Sequence, residues 1–428
     1  MPNNDKPVVN TPVVAPAGPP TDLTAEEGLR GWLCVLGASI CIFCSLGFLN
    51  AIGVFQTVYQ ETYLRDYTPS SISWIFALQL ALMYAAGPLY GRLVDTYGPM
   101  PVLYPCSFLC VFGLCMTSLA TEYYQILLAQ GLVFGIGCGG VFTAATVCVG
   151  QWFIRRRGLG IGLATTGSSL GGVIFPIFLD QLIGKVGFGG ALRYTALLIG
   201  ILLCCSFFLV RARLPRKKWN PDAKWFDLSL FKQKRFAYYT MGAFLVNWGL
   251  FAPFDFLPSM ALNSGFPPTL AFYLVSIMNA SSIPGRILPP YLGDGIGHFN
   301  VLTVSALMVG ASMLALWLPF GYHPSQAGII IFALVYGVAS GAFVSLMMPC
   351  VFKLGDIQTI GQRFGTFQMV QGLSFLTGLP IMGAILNSQN NTDYSGLQLF
   401  ASVSCILGTS LLLVATYFVS QSHKTWKV

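Results

Sequence analysis

Arg286 places a guanidinium inside an apolar stretch, Ser282-Ile283-Pro284-Gly285-Arg286-Ile287-Leu288-Pro289. A charge at the centre of a membrane helix costs at least about 2.5 kcal/mol, so a functional role is the default reading. The planar fork could clamp a carboxylate through two parallel N–H bonds, with Gly285 clearing space beside it. The bland alternative is a bond to a helix carbonyl or to Asp294. Asp255, in Phe254-Asp255-Phe256, could take up a proton or pair with a cation, or it could be structural or a wetted interfacial group. Asn247, Trp248, Phe251, Phe254 and Asp255 fall at helical spacing and could line a cavity for a ring-bearing molecule, although such a stripe is more often core.

Other chemistries lack their residues. His298, His323 and His423 are expected in loops, and no His, Asp or Glu cluster suggests a metal centre or a catalytic site. A phosphate-cradling G-x-x-x-x-G-K-[ST] motif is missing, so neither ATP nor another cofactor is expected, and the chain reads as no enzyme. All twelve cysteines fall in or at the ends of apolar runs and read as packing residues; Cys41 and Cys44 have C-x-x-C spacing without the context of a redox motif.

The elements that must hold these residues are membrane helices. With 55% hydrophobic and 9% charged residues and a mean hydropathy of +0.68, the chain departs from soluble domains, where about a quarter of residues are charged. About twelve apolar runs reach the roughly 20 residues that a crossing needs. The chain also repeats itself. Leu93-Val94-Asp95-Thr96-Tyr97-Gly98 returns as Leu292-Gly293-Asp294-Gly295-Ile296-Gly297, with the aspartates 199 residues apart; Arg157, Gly167 and Pro176 return as Arg363, Gly372 and Pro380. Two membrane-embedded halves in one orientation indicate an all-α secondary transporter. The expected organisation is a disordered cytoplasmic tail at 1–30, a six-helix bundle at 31–211, a basic cytoplasmic loop at 212–235, a second six-helix bundle at 236–420 and a tail at 421–428. Asp95 and Asp294, each closing an apolar run, could meet a helix amino terminus or a loop arginine and, with Arg92, read as a gate. Gly158 to Gly172 put small residues where another helix can approach, either as static packing or as a moving interface.

Positive loops stay in the cytoplasm. With the amino terminus inside, only Arg65, Lys185 and Arg193 of the 23 Lys and Arg fall outside, and the basic run from Arg211 to Arg235 falls inside. The net charge of +8 thus reports topology and not nucleic acid, with attraction of this run to anionic lipid as a lesser reading.

Several stretches together resemble the monocarboxylate porter branch of the major facilitator superfamily, particularly its fungal members. They are Glu27-Gly28-Leu29-Arg30-Gly31-Trp32, Gly87-Pro88-Leu89-Tyr90-Gly91-Arg92-Leu93-Val94-Asp95, Trp152 to Gly160, Thr166 to Pro176 and Ser282 to Pro289. The resemblance implies two six-helix bundles around a central cavity, alternating access by rocking, and a substrate-clamping role for Arg286. Animal monocarboxylate carriers place an aspartate and a lysine where this chain has Ser282 and Asn50. That departure argues against a plain proton and lactate symporter and leaves Asn50 and Ser282 as neutral site candidates. Gln130 likewise stands where many proton-coupled relatives carry an arginine.

The expected function is efflux of an organic anion or weakly acidic fungal secondary metabolite, with protons as the candidate coupling ion. The alternatives are uptake of a monocarboxylate or vitamin-like nutrient, and a non-transporting membrane sensor. The expected site is the cell membrane, with a vacuolar or other internal membrane as the alternative. Asn390-Asn391-Thr392 is a glycosylation sequon in the last outer loop. Epitope tags inserted within 215–230 and after Val428 should both resist external protease in intact cells; cleavage of either would invert the orientation.

Overall fold

In the computed structural model, which describes residues 28–216, 225–389 and 393–428, the chain is all helical. Most of the tail at 1–30, part of the basic loop and Asn390 lie outside the described residues. Among those described, nine helices are long and apolar enough to cross a membrane: Leu29–Tyr63, Ser71–Tyr97, Met100–Thr117, Tyr123–Trp152, Arg157–Leu209, His298–Tyr322, Gln326–Lys353, Ile357–Ser388 and Ser395–Ser422. The 53-residue Arg157–Leu209 holds two spans, five and six, because Gly187 reverses the chain within it at φ 72°. Spans seven and eight complete the twelve. Span seven is cut into Lys234–Leu250 and Ala252–Asn263, and span eight, Pro268–Ile296, carries three internal prolines together with Arg286 and Asp294.

Spans one and seven break at corresponding depths. Span one interrupts its helix at Asn50 and Ala51, just after a π-helical segment, Phe43–Gly47. Span seven does so at Phe251, with Pro253 in the first turn of the next helix. A break frees carbonyls that lipid cannot satisfy, so the protein must. The Asn50 side-chain amide donates to the Leu46 carbonyl at 3.0 Å and reaches the Ser168 carbonyl of span five at 3.4 Å. In span seven the Tyr336 hydroxyl of span ten donates to the Leu250 carbonyl. Pro176 and Pro380 remain inside continuous helices.

The two halves meet along two seams, span two on span eleven and span five on span eight. Glycine sets the approach. A Cβ on Gly91 would collide with the Gly361 backbone, and a Cβ on Gly158 with the Pro290 carbonyl. Gly162 and Gly172 also face span eight, through Arg286 and Asn279, whereas Gly167 and Gly171 face span one. The glycines of span five thus serve both a seam between the halves and packing within one half. Ten cysteines are buried or half-buried, but Cys204 and Cys205 are exposed on span six, so the packing reading fails for these two.

A Gly91→Val or Gly158→Val substitution should hold the seams apart. The expected result is a folded protein, by size-exclusion profile, with transport lost and the span-five face labelled faster by a membrane-impermeant maleimide at an introduced Thr165→Cys.

Candidate functional site

At one end of the bundle each half caps a helix of the other. The Asp95 carboxylate, at the end of span two, accepts from the Gly361 and Gln362 backbone N–H groups at 3.0 and 2.9 Å. The Asp294 carboxylate, at the end of span eight, accepts from Gly158 and Leu159 at 2.8 and 2.9 Å. The recipients are first-turn residues of spans eleven and five, where helices leave N–H groups unsatisfied and carry partial positive charge. For both aspartates the structure provides the helix amino terminus as a partner. Arg92 is buried beside this end, and its guanidinium lies 4.2 Å from the ring centre of Trp225 in the connecting segment.

His298 departs from expectation. It begins span nine, is 1% exposed, and holds its Nε2 2.9 Å from Asp294 Oδ1. Gly297 before it reads as a loop in sequence, but packing against Gly158 and Gly293 buries the ring.

Deeper in the seams the bonds are neutral or half-neutral. Ser282 Oγ meets Ser169 Oγ at 2.6 Å, and Thr143 donates to Gln368 at 3.0 Å. Arg286 is buried and donates from Nη1 to the Thr165 carbonyl of span five at 3.0 Å. Among the described residues its Nε has no hydrogen-bond partner, and Tyr84 of span two lies close enough to interact with its charge. The structural partner of Arg286 is therefore a helix carbonyl; Asp294 is engaged elsewhere. A buried donor left unpaired costs about 1–3 kcal/mol, which an arriving oxyanion could recover.

An aromatic layer crosses the seam at this level. Phe142, Tyr84, Phe375, Phe251 and Phe254 follow one another at centroid spacings of 5.8, 4.8, 5.2 and 6.1 Å, and Phe254 reaches Tyr336 at 6.0 Å. Phe251 is thus in the layer, at the break of span seven. Asp255, one turn further on, is exposed, and its carboxylate makes no hydrogen bond or ion pair with any described residue.

The structure separates the other members of the span-seven set. Asn247 donates to Gln371 Oε1 at 2.8 Å within its own half, with its Oδ1 unpaired. Trp248 donates to Thr377 at 2.8 Å and packs on Phe244 and Phe400, toward span twelve. Asn50 and Ser282 both bond to span five, through Ser168 and Ser169. Tyr84 and Gln368 were not singled out in the sequence, and His298 was expected in a loop. Gln368 had a usable signal, since an intramembrane amide is uncommon enough to flag. Tyr84 had none, sitting among many aromatics.

The chain matches the Major Facilitator Superfamily over residues 38–379. It is 42% identical over 395 residues to the MFS-type transporter hasB of Aspergillus fumigatus, covering 89% of this chain and 88% of the relative. It is 38% identical to the fujikurins efflux protein of Gibberella fujikuroi, covering 92% and 83%, and 39% identical to the agnestins efflux protein of Paecilomyces divaricatus, covering 90% and 87%. Among solved structures it is similar to the human organic anion transporter MFSD10, with a TM-score of 0.73 at 15% identity, covering 89% of this chain and 99% of that one. That likeness is one of fold.

Replacing a capping carboxylate costs about 0.5–2 kcal/mol, or roughly 2- to 30-fold in an equilibrium. Asp95→Ala and Asp294→Ala should each raise the labelling rate of an introduced Thr165→Cys by a factor in that range, and the double variant by more. Unchanged labelling in all three would show that the caps do not hold the seams together.

Proposed function

We propose, for a chain that belongs to the major facilitator superfamily, secondary active efflux of a ring-bearing, weakly acidic metabolite from a fungal cell, with the capped end and both termini in the cytoplasm. The observation that carries this reading is Arg286, fixed by one arm to the opposite half while its buried Nε stays unpaired. An oxyanion can take the guanidinium bidentately through Nε–H and the adjacent Nη2–H while Nη1 keeps the Thr165 carbonyl of the opposite half. Occupancy therefore bears on the side chain that bridges the seam, and a ligand that binds one arrangement of that seam better than the other shifts the conformational equilibrium.

The aromatic layer around Phe251 supplies a surface for a ring. Asn50 and Ser282 keep the neighbouring surface neutral, while Asn247 and Trp248 brace the broken span from behind. Asp255 is the group proposed to exchange a proton with the outer side. Asp95, Arg92 and Asp294 form the gate. The named efflux relatives for fujikurins and agnestins support export of a fungal secondary metabolite. The motifs around Gly87 to Asp95 and Ser282 to Pro289 support the monocarboxylate porter branch.

Deleting the gene should leave the metabolite accumulated inside cells and depleted in the medium. Loss of growth on an external carboxylate, with secretion unchanged, would replace export by uptake. Arg286→Ala should cut transport by more than about tenfold, the equivalent of ~1.4 kcal/mol, at normal surface expression. Arg286→Lys should recover little of it because the fork is lost. Asp255→Asn should flatten the dependence of transport on external pH; an unchanged profile would return Asp255 to a structural role.

A further inference from the structure

The turn between spans two and three faces the segment that leaves span six across a cleft of about 270 Å³. One wall is Tyr97, Gly98, Pro99 and Met100; the other runs from Arg211 to Arg216. None of the lining residues is acidic. The floor is fixed by the backbone: Trp152 Nε1 donates to the Arg211 carbonyl at 2.7 Å, and Arg213 donates to the Trp152 carbonyl at 3.3 Å. Arg213 is thereby occupied. Arg211 and Arg216 line the cleft with exposed side chains, and neither side chain has a hydrogen bond or ion pair among the described residues.

The cleft lies where spans two and six end and span three begins, and therefore at a membrane boundary. On the hydrocarbon side of it, Tyr104 of span three packs edge-on against Phe207 of span six, their centroids 4.8 Å apart. Tyr104, Phe108 and Phe208 are exposed there, Phe208 at 78%. Two exposed cations, without a protein partner among the described residues, line a cleft that begins about one helical turn beyond this aromatic surface. A molecule complementary to both must carry an anionic head and a hydrocarbon tail. A free anion would leave the aromatic surface unused, and an apolar molecule would leave the guanidiniums unpaired.

We infer that this cleft is a binding site for an anionic phospholipid of the adjoining leaflet, with Arg211 and Arg216 holding the phosphate and headgroup and the acyl chains lying along Tyr104 and Phe208. A bound headgroup ties the turn that follows Asp95 to the end of span six, so one wall of the site is continuous with the helix that carries a gate carboxylate. The inference depends on neither the substrate nor the direction of transport, and its failure would leave both untouched.

The test uses the full chain purified in phosphatidylcholine nanodiscs, with bound lipid read by native mass spectrometry and Tm by a thermal shift as phosphatidylserine is titrated in. Each basic residue at an anionic surface is worth roughly a fivefold gain. Arg211→Ala/Arg216→Ala should therefore weaken phosphatidylserine retention by roughly 10- to 30-fold. A matched loss of charge outside the cleft, Lys232→Ala/Lys234→Ala, removes only the general surface attraction and should change it severalfold less than the cleft pair does. Should the alanine pair lower Tm in phosphatidylcholine alone, the single exposed change Arg216→Glu decides, with an expected loss above about tenfold. Equal losses in the cleft and control pairs, no loss with Arg216→Glu, or no preference over phosphatidylcholine would overturn the site. Saturation by inorganic phosphate at the same concentration would also overturn it, in favour of a free-anion site.

Discussion

Two carboxylates tie the halves of this transporter together at one end, and each does so by completing a helix in the opposite half. The first turn of a helix leaves backbone N–H groups that must be satisfied, and Asp95 and Asp294 satisfy two apiece in spans eleven and five. The geometry is demanding, since both oxygens are used and the recipients are consecutive residues. It fixes how far span two can slide along span eleven, and span eight along span five. The glycines at 91, 158 and 162 then follow, because helices brought this close leave no room for a Cβ. Arg286 depends on the same closure, as its anchoring carbonyl belongs to Thr165 on the opposite wall of the seam.

The breaks in spans one and seven supply what a seam of straight helices would lack. A continuous helix uses its own backbone groups internally, whereas a broken one exposes carbonyls that must find side chains. Asn50 and Tyr336 serve that need. The break at Phe251 also turns the helix, so that Phe251 and Phe254 join the aromatic layer while Trp248, three residues earlier, packs toward span twelve.

That turn explains why the fold was more legible than the site. The internal repeat, the apolar runs and the carboxylate pair were all visible, because each is a property of residue type and spacing. The span-seven stripe was read with one uninterrupted period, which a break invalidates. Lipid exposure was equally hidden. Cys204 and Cys205 look like core residues, since an apolar pattern in a membrane helix does not distinguish a protein neighbour from an acyl chain. Gln368 acquires its setting from the opposite half, through a bond 225 residues away in sequence, and His298 sits between a local partner, Asp294, and Gly158 of the opposite half. The local pattern does not encode these contacts across the seam.

The bonding across the seams is suited to reversal. Within each half the contacts are between large buried side chains, such as Phe48 with Phe134 and Phe175, or Trp317 with Phe332, and separating them would expose apolar surface. Across the seams the described bonds are short polar contacts between small groups: two caps, a serine pair, a threonine with a glutamine, and one arginine arm. Each is worth about 1 kcal/mol net because water can replace it when the seam opens, with charged groups somewhat above that figure. Their sum is large enough to favour one arrangement and small enough to be outweighed by a ligand that binds the other more tightly. A seam lined instead by interlocked aromatics throughout would close once and stay closed. The glycines are what permit the weaker solution where backbones touch, which leaves Tyr84 with Phe375 and Phe142 with Phe364 as the aromatic contacts that must part.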